Sequence, residues 1–129
     1  MTFPDDCRYT NEHEWIRVGD DGLAAIGVTD FAQGELGDIV FIEIEPVGTE
    51  VGPEDVFGTV EAVKTVSELF APVAGVIEAI NELLEDAPET VNSDPYVDGW
   101  MVKIRPANPP DLDGLMTADE YKHMVGADS

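Results

Sequence analysis

The residue with the clearest chemical potential is a lysine in the middle of the chain. Lys64 stands between two apolar, strand-like stretches within the segment 58–72, and the sequence holds only two other lysines against 28 acidic residues. A primary amine at a hairpin tip is open to acylation by a carboxylic acid, which removes its charge and makes it the root of a long, flexible arm. The position of Lys64 therefore predicts a carrier of a covalently attached cofactor.

A second interpretation of Lys64 is equally good on spacing alone. Lysines on edge strands discourage aggregation, and such a residue needs no cofactor. The Asn-Gly or Asp-Gly signal of a two-residue turn is absent around Lys64. Because Val63 and Thr65 are β-branched and resist positive φ, we expect a type I variant at the tip. The local pattern leaves both interpretations open.

Net charge narrows the classes of partner. Six basic and 28 acidic residues give −22, which argues against a nucleic-acid surface. The acids are scattered among apolar strand patterns and do not form a tail. A halophilic protein is expected, since acidic surfaces stay soluble where the Debye length shrinks to about 3 Å at molar salt.

Length and apolar content bound the class of protein. The 129 residues, 43% of them hydrophobic, suit a single domain over 1–129. The single cysteine, Cys7, excludes an internal disulfide framework and gives no metal motif. Residues 1–9 lack the basic and apolar regions of a signal peptide, and no apolar stretch is long enough for a membrane span. We expect a soluble, cytoplasmic protein.

Short strand patterns bounded by turn residues predict a mainly β protein. Residues 15–18 and 23–28, joined by a Gly-Asp-Asp-Gly turn, indicate an N-terminal hairpin. The best strand pattern is 38–45, in which isoleucines alternate with glutamates. Residues 37–43 resemble 75–80, which favours two small sheets related by a quasi-two-fold. A further strand is expected at 100–104.

Short helices are predicted between and after the strands. Asp30 is a candidate N-cap with Gln33 three residues later, and Gly34 and Gly37 should keep that helix short. Residues 81–86 suggest one helical turn. A capping box at 117–120 opens a C-terminal helix to about residue 125. Its apolar stripe should pack on the sandwich; the stripe consists of Tyr121, Met124 and Val125.

Four stretches, in register along nearly the whole chain, resemble the glycine cleavage H-protein family. They are Tyr9 with His13-Glu14-Trp15; 27–33 through 36–41; Glu61-Ala62-Val63-Lys64 through 71–75; and Val91-Asn92 through 95–101. The resemblance implies a lipoyl-type barrel-sandwich hybrid with short helices, and lipoate attached to Lys64.

The resemblance also assigns roles to three glutamates. Glu61 belongs to the modification motif around Lys64. Glu14 and Glu68 are candidates for a cleft that shelters the amine of the loaded arm, since a cationic amine favours carboxylates. The family usually has Ser at position 62 and Ala at position 65, where this chain has Ala62 and Thr65, and this departure concerns recognition by the ligase. Glu12 stands where the family often has a smaller residue.

The implied role is carriage, without catalytic or metal-ligating residues. A pyridoxal-phosphate glycine decarboxylase passes an aminomethyl group to the lipoyl disulfide, a folate-dependent aminomethyltransferase removes it, and dihydrolipoyl dehydrogenase restores the disulfide. Lipoate-attaching enzymes load the carrier. Tethering raises the effective concentration of the arm at each partner's site. A monomer that binds neither nucleic acid nor membrane is expected.

The residues leave three other functions open. An H-like lipoyl-relay protein would use the same hairpin. A lipoyl or biotinyl domain of another complex would be shorter, and biotinyl domains favour methionines beside the lysine where this chain has Val63 and Thr65. A small acidic enzyme would have to use His13 with Glu14, yet no nucleophile is paired with this histidine. A structural histidine beside Trp15 is the better interpretation.

Overall fold

The computed structural model describes residues 3–107 and 114–126, which form two antiparallel sheets and four short helices. The six-stranded sheet has the order β1-β2-β3-β9-β8-β5: Arg8–Tyr9, Glu14–Val18, Ala24–Val28, Val102–Pro106, Gly75–Ile80 and Glu50–Val51. The three-stranded sheet has the order β4-β6-β7: Ile39–Ile44, Val56–Ala62 and Val66–Phe70. The helices are α1 Asp30–Leu36, α2 Leu83–Asp86, α3 Thr90–Ser93 and α4 Ala118–Val125.

The mainly β fold class is confirmed, with short helices that include a C-terminal one. The two similar sequence segments form β4 and β8, one in each sheet. A core of apolar side chains fills the space between the sheets, drawn from both sheets and from α1 to α3. Its largest fully buried members include Ile16, Ile26, Phe57, Ile77, Val91, Met101 and Ile104. No helix in the described part of the chain is long and apolar enough to cross a membrane.

The predicted N-terminal hairpin is β2 paired with β3. Its turn contains Gly22 at φ 81°, a left-handed conformation that glycine adopts without strain. Trp15 lies opposite Gly27, and a Cβ at Gly27 would stand 2.8 Å from the indole nitrogen. The buried indole also donates a hydrogen bond to the carbonyl of Pro95 at 2.9 Å. The glycine therefore makes room for the tryptophan that ties this hairpin to the segment after α3.

The predicted start of α1 is wrong by one residue. The N-cap is Thr29, whose Oγ1 accepts a hydrogen bond from the Ala32 N–H at 3.1 Å, and Asp30 is the first helical residue. Thr29 is favoured because its buried hydroxyl has a second partner, the Tyr121 hydroxyl at 2.7 Å. Gly34 lies inside the helix, where a glycine costs only about 1 kcal/mol relative to alanine. Gly37, at φ 79°, ends the helix.

The C-terminal helix is placed by its cap and by one tyrosine. The predicted capping box of α4 is present, with reciprocal hydrogen bonds between Thr117 and Glu120 of 3.0 and 3.2 Å. Tyr121 is fully buried in a second cluster with Phe3, Cys7, Tyr9, Trp15, Tyr96 and Ala118. Val125 packs on that cluster, while Met124 is 43% exposed. The predicted stripe is thus correct for two of its three members.

Candidate functional site

Lys64 lies at the tip of the hairpin formed by β6 and β7. The last strand pair is Glu61 with Val66, and the Ala62 N–H donates to the Thr65 carbonyl at 2.8 Å. Lys64 is exposed, and no residue from 63 to 65 has positive φ, as expected for β-branched neighbours. The structure therefore presents the amine of Lys64 to solvent on a short, tight loop.

Hydrogen bonds from outside the hairpin hold its tip. The Val63 N–H donates to the Asp38 carbonyl at 3.0 Å, which ties the tip to the start of β4. The Asn92 side chain of α3 accepts from the Ile39 N–H at 3.0 Å and donates to the Gly37 carbonyl at 2.8 Å. Asn92 thereby positions the segment on which the tip rests. The sequence signalled Asn92 only as part of a family motif, and α3 was not predicted.

A cavity of about 380 Å³ opens beside the hairpin, and we call it the β7 cavity. Its walls are apolar and come from β3, α1, β6 and β7: Val28, Phe31, Ala32, Leu36, Val60 and Leu69. Its polar lining consists of Glu12, His13, Glu35, Ser67 and Glu68. The β7 cavity shares a strand with the lysine hairpin and combines a hydrophobic interior with carboxylates.

Glu14 is a buried carboxylic acid with one unsatisfied oxygen. Its side chain is 2% exposed, and Oε2 accepts a hydrogen bond from the Phe70 N–H at 2.6 Å. Oε1 is buried without a hydrogen-bond partner. Burial raises the pKa of Glu14 to about 8, against the lowering effect of the Phe70 N–H, and nearby Glu12 raises it further. With this pKa, Glu14 is largely protonated at neutral pH. A nearby cation would favour its ionised form and so lower its pKa.

Glu14 and Glu68 do not line the same cavity. Glu14 lines a neighbouring cavity of about 370 Å³ that extends towards α4, together with Phe70 and Met116, and we call it the α4 cavity. Glu68 is exposed and lines the β7 cavity. Glu12 lines both cavities, so the residue that departs from the family pattern stands between the two candidate carboxylates.

Glu61 occupies the exposed side of β6. It pairs with Phe41 on one side and with Val66 on the other, three residues before Lys64. Its carboxylate therefore belongs to the surface that surrounds the lysine and to neither cavity.

His13 is held by contacts that explain it structurally. Its Nδ1 lies 2.9 Å from the Tyr121 hydroxyl, and its ring centroid lies 5.0 Å from that of Phe31. Its backbone is left-handed at φ 66°. Burial lowers the pKa of His13, which favours the neutral ring. Among residues 3–107 and 114–126, no group of three or more His, Cys, Asp or Glu is arranged to hold a metal ion.

A larger cavity, of about 560 Å³, lies on the outer face of the six-stranded sheet. Two cationic side chains cover its aromatic walls: the Arg17 guanidinium lies 5.2 Å from the Trp15 ring and the Lys103 amine 5.0 Å from the Trp100 ring. Arg17 also donates to the Tyr96 carbonyl at 2.8 Å. None of its lining residues belongs to the lysine hairpin, so we assign these contacts to packing.

Comparison with known proteins gives one consistent family. Residues 7–128 match the family model for the glycine cleavage H-protein. The chain is 60% identical to a glycine cleavage system H protein of Chlorobium phaeobacteroides over 98% of this chain and 99% of that one. It is 61% identical to that of Salinibacter ruber over 97% and 100%. A crystal structure of a glycine cleavage system H protein from Mycobacterium marinum superposes with a TM-score of 0.87 at 38% identity, over 95% and 98% of the two chains.

Proposed function

The chain belongs to the glycine cleavage H-protein family, and on that premise we propose that Lys64 carries lipoate and shuttles the aminomethyl group of glycine. The observation that carries the proposal is the exposed amine at a braced hairpin tip. A lysine whose role is to prevent aggregation at a sheet edge would not have to lie at a hairpin tip held by hydrogen bonds. Lys64 lies in the connection between β6 and β7 and outside both strands, which disfavours the interpretation that it protects a sheet edge.

The residues around Lys64 fit a long acyl arm. β7 begins two residues after Lys64, and Glu68 is its third residue, so the backbone from Lys64 to Glu68 spans at most about 13 Å, which a lysine extended by an acyl chain can reach. The apolar walls of the β7 cavity suit such a chain. When bound, lipoate would supply a disulfide that accepts the aminomethyl group. Removal of that group would leave the lipoyl arm as a dithiol.

Three carboxylates of this chain support the proposal of a cleft that receives the amine of the loaded arm. Glu68 and Glu12 line the β7 cavity, and Glu12 also lines the α4 cavity together with Glu14. The Oε1 atom of Glu14 is buried without a hydrogen-bond partner. A cation favours the charged form of a nearby carboxyl group, so a bound amine would lower the raised pKa of Glu14. The apolar walls of the β7 cavity would limit the access of water to a loaded group bound there.

The partners and setting follow from the same premise. We propose the pyridoxal-phosphate glycine decarboxylase, the folate-dependent aminomethyltransferase, dihydrolipoyl dehydrogenase and lipoate-attaching enzymes as partners of a monomeric, cytoplasmic carrier. A non-catalytic role is supported by the contacts of His13, whose ring engages Tyr121 and Phe31.

Peptide-level mass spectrometry on protein purified from its native cell tests this function. We expect a lipoyl mass increment on the peptide that contains Lys64, and an aminomethyl increment on that arm when glycine and the decarboxylase are added. Lipoylation without glycine-dependent loading would indicate a lipoyl relay. A biotinyl increment would place the protein among carboxylase carriers, and an unmodified Lys64 would return it to the interpretation of a charged hairpin.

The net charge of −22 supports a proposal about the cellular setting, namely adaptation to a salty cytoplasm. Six lysines and arginines cannot pair with 28 acids, so most of the acids lack a cationic partner and repel one another. The described residues include the ion pairs of Arg17 with Asp6 and of Arg105 with Glu78. We expect circular dichroism to show loss of structure at millimolar KCl and recovery as KCl approaches about 1 M, where screening is strong. A signal independent of salt over that range would contradict the adaptation and leave the carrier function unaffected.

A further inference from the structure

Four exposed apolar side chains lie near the hairpin tip, at the start of β4, in the β6–β7 loop and at the start of β7, and we call them the Lys64 collar: Val40, Phe41, Val63 and Val66. Their exposed fractions are 52%, 50%, 71% and 60%. We propose that the collar is the docking surface for the enzyme that acylates Lys64. The proposal rests on the function assigned above and adds the part of the surface by which that enzyme recognises this chain.

A bulge in β4 brings two of the four side chains to the surface. Ile39 pairs with Ala62, but the next pair is Phe41 with Glu61, so Val40 is an extra residue in β4. Regular alternation would point Val40 and Phe41 to opposite faces, whereas the bulge leaves both of them exposed. β4 is also an edge strand of its sheet, so no neighbouring strand covers this side of the pair.

The collar is continuous with the acceptor lysine. Phe41, Glu61 and Val66 are direct partners across three adjacent strands, so their side chains share one exposed face. Val63 directly precedes Lys64, and its N–H is bonded to Asp38 at 3.0 Å, which brings the tip close to the start of β4. An enzyme that brings its active site to the Lys64 amine must therefore cover these side chains.

Folding does not explain why the collar is apolar. These four side chains contribute little to the core because half or more of each remains in contact with water. Clustered exposed apolar residues typically mark interaction sites. Exposed acids border the collar: Asp38, Glu43 and Glu61. The complementary partner has an apolar centre with a basic rim around its acyl-transfer site, in the usual arrangement of a transient interface.

Acylation kinetics with the unmodified protein as the varied substrate test the collar. The acyl donor is lipoate with ATP and a lipoate ligase, and intact mass reports the product. The first variant is Val40→Ser with Phe41→Ser, and the second is Val63→Thr with Val66→Thr, which keeps β-branched shape and strand propensity. The control is Val47→Ser with Val97→Ser. Val47 follows β4 and is 57% exposed, and Val97 lies in the loop before β9 and is 64% exposed, so both match the collar residues in exposure.

We expect each collar variant to raise KM for the protein by about tenfold or more with little change in kcat, since apolar contact area is lost and the amine itself is untouched. The control should behave as wild type. The kinetics are measured at constant, near-molar KCl, where the protein is expected to be folded and charged contacts at the rim are screened, so that the apolar contacts dominate KM. Circular dichroism melting verifies that each variant is folded.

Several results would overturn the proposal. An unchanged KM in both collar variants would exclude the collar as the docking surface, as would an equal rise in the control. A wild-type dimer that dissociates in the collar variants, seen by sedimentation equilibrium, would assign the surface to a second copy of the chain. If wild-type Lys64 accepts no acyl group under any condition, the proposed function fails as well, which separates that failure from one of the collar alone.

Discussion

Replacing Lys64 by arginine is expected to abolish acylation and to reduce glycine decarboxylation in the reconstituted system to the level without carrier. A guanidinium remains protonated above pH 12 and does not take up the acyl group, while its charge and length keep the surface nearly unchanged. Because the side chain is exposed at a loop, the free energy of unfolding should change by no more than about 0.5 kcal/mol. Glycine-dependent release of carbon dioxide measures the first effect, and thermal melting the second.

The other two lysines are matched controls for the loss of acylation. Lys103→Arg changes a half-buried lysine whose amine lies 5.0 Å from the Trp100 ring, and Lys122→Arg changes a residue of α4. Both variants should keep the lipoyl increment and support decarboxylation. A Lys64→Arg protein that still acquires lipoate, or a Lys103→Arg protein that loses it, would move the attachment point and contradict the role assigned to the hairpin tip.

Features that depend on neighbouring residues were readable from the sequence. The alternation of Ile42 and Ile44 with Glu43 in β4, the turn between β2 and β3, and the capping box at Thr117 and Glu120 arise from residues a few positions apart, and all three are present. The bulge at Val40 in the same strand was not predicted. The break between two strand patterns at Lys64 was also visible, but the choice between a hairpin tip and an edge strand required the family resemblance. Local chemistry sufficed for the other three elements.

Features set by distant contacts were not readable. Thr29 caps α1 in place of Asp30 because of Tyr121, which is 92 residues away. The burial of Glu14 depends on Phe70, 56 residues away, and a sequence of 28 acids gives no sign of which one is enclosed. The separation of the two candidate carboxylates into different cavities likewise follows from how β7 packs against the N-terminal segment. The candidate amine-binding site was therefore predictable in its residue types and not in its geometry.

Replacing Glu14 by glutamine is expected to make the protein more stable than wild type at neutral and higher pH, with a difference that shrinks to about 1 kcal/mol or less near pH 5. The folded-state pKa of about 8 lies above the ordinary value of 4.5, so between these values the folded protein binds more protons than the unfolded chain. Wild-type stability must then fall as pH rises from about 4.5 to about 8. A glutamine has no proton to lose, and its carbonyl oxygen still accepts the Phe70 N–H.

The expected stability difference between wild type and Glu14→Gln is large enough to be measured by denaturant unfolding. Each unit of pKa shift corresponds to about 1.4 kcal/mol, so the variant should gain about 2–4 kcal/mol over wild type at pH 8.5, after allowance for relaxation of the buried site. Denaturant unfolding at constant molar salt from pH 5 to 9 gives the two stability curves. Glu68→Gln is the matched control, because an exposed carboxylate should change stability by no more than about 0.5 kcal/mol at any of these pH values. Parallel curves for wild type and the Glu14 variant would show that Glu14 ionises freely in the folded protein. That result would contradict the proposal that the buried carboxyl group of Glu14 binds the cationic amine of the loaded arm.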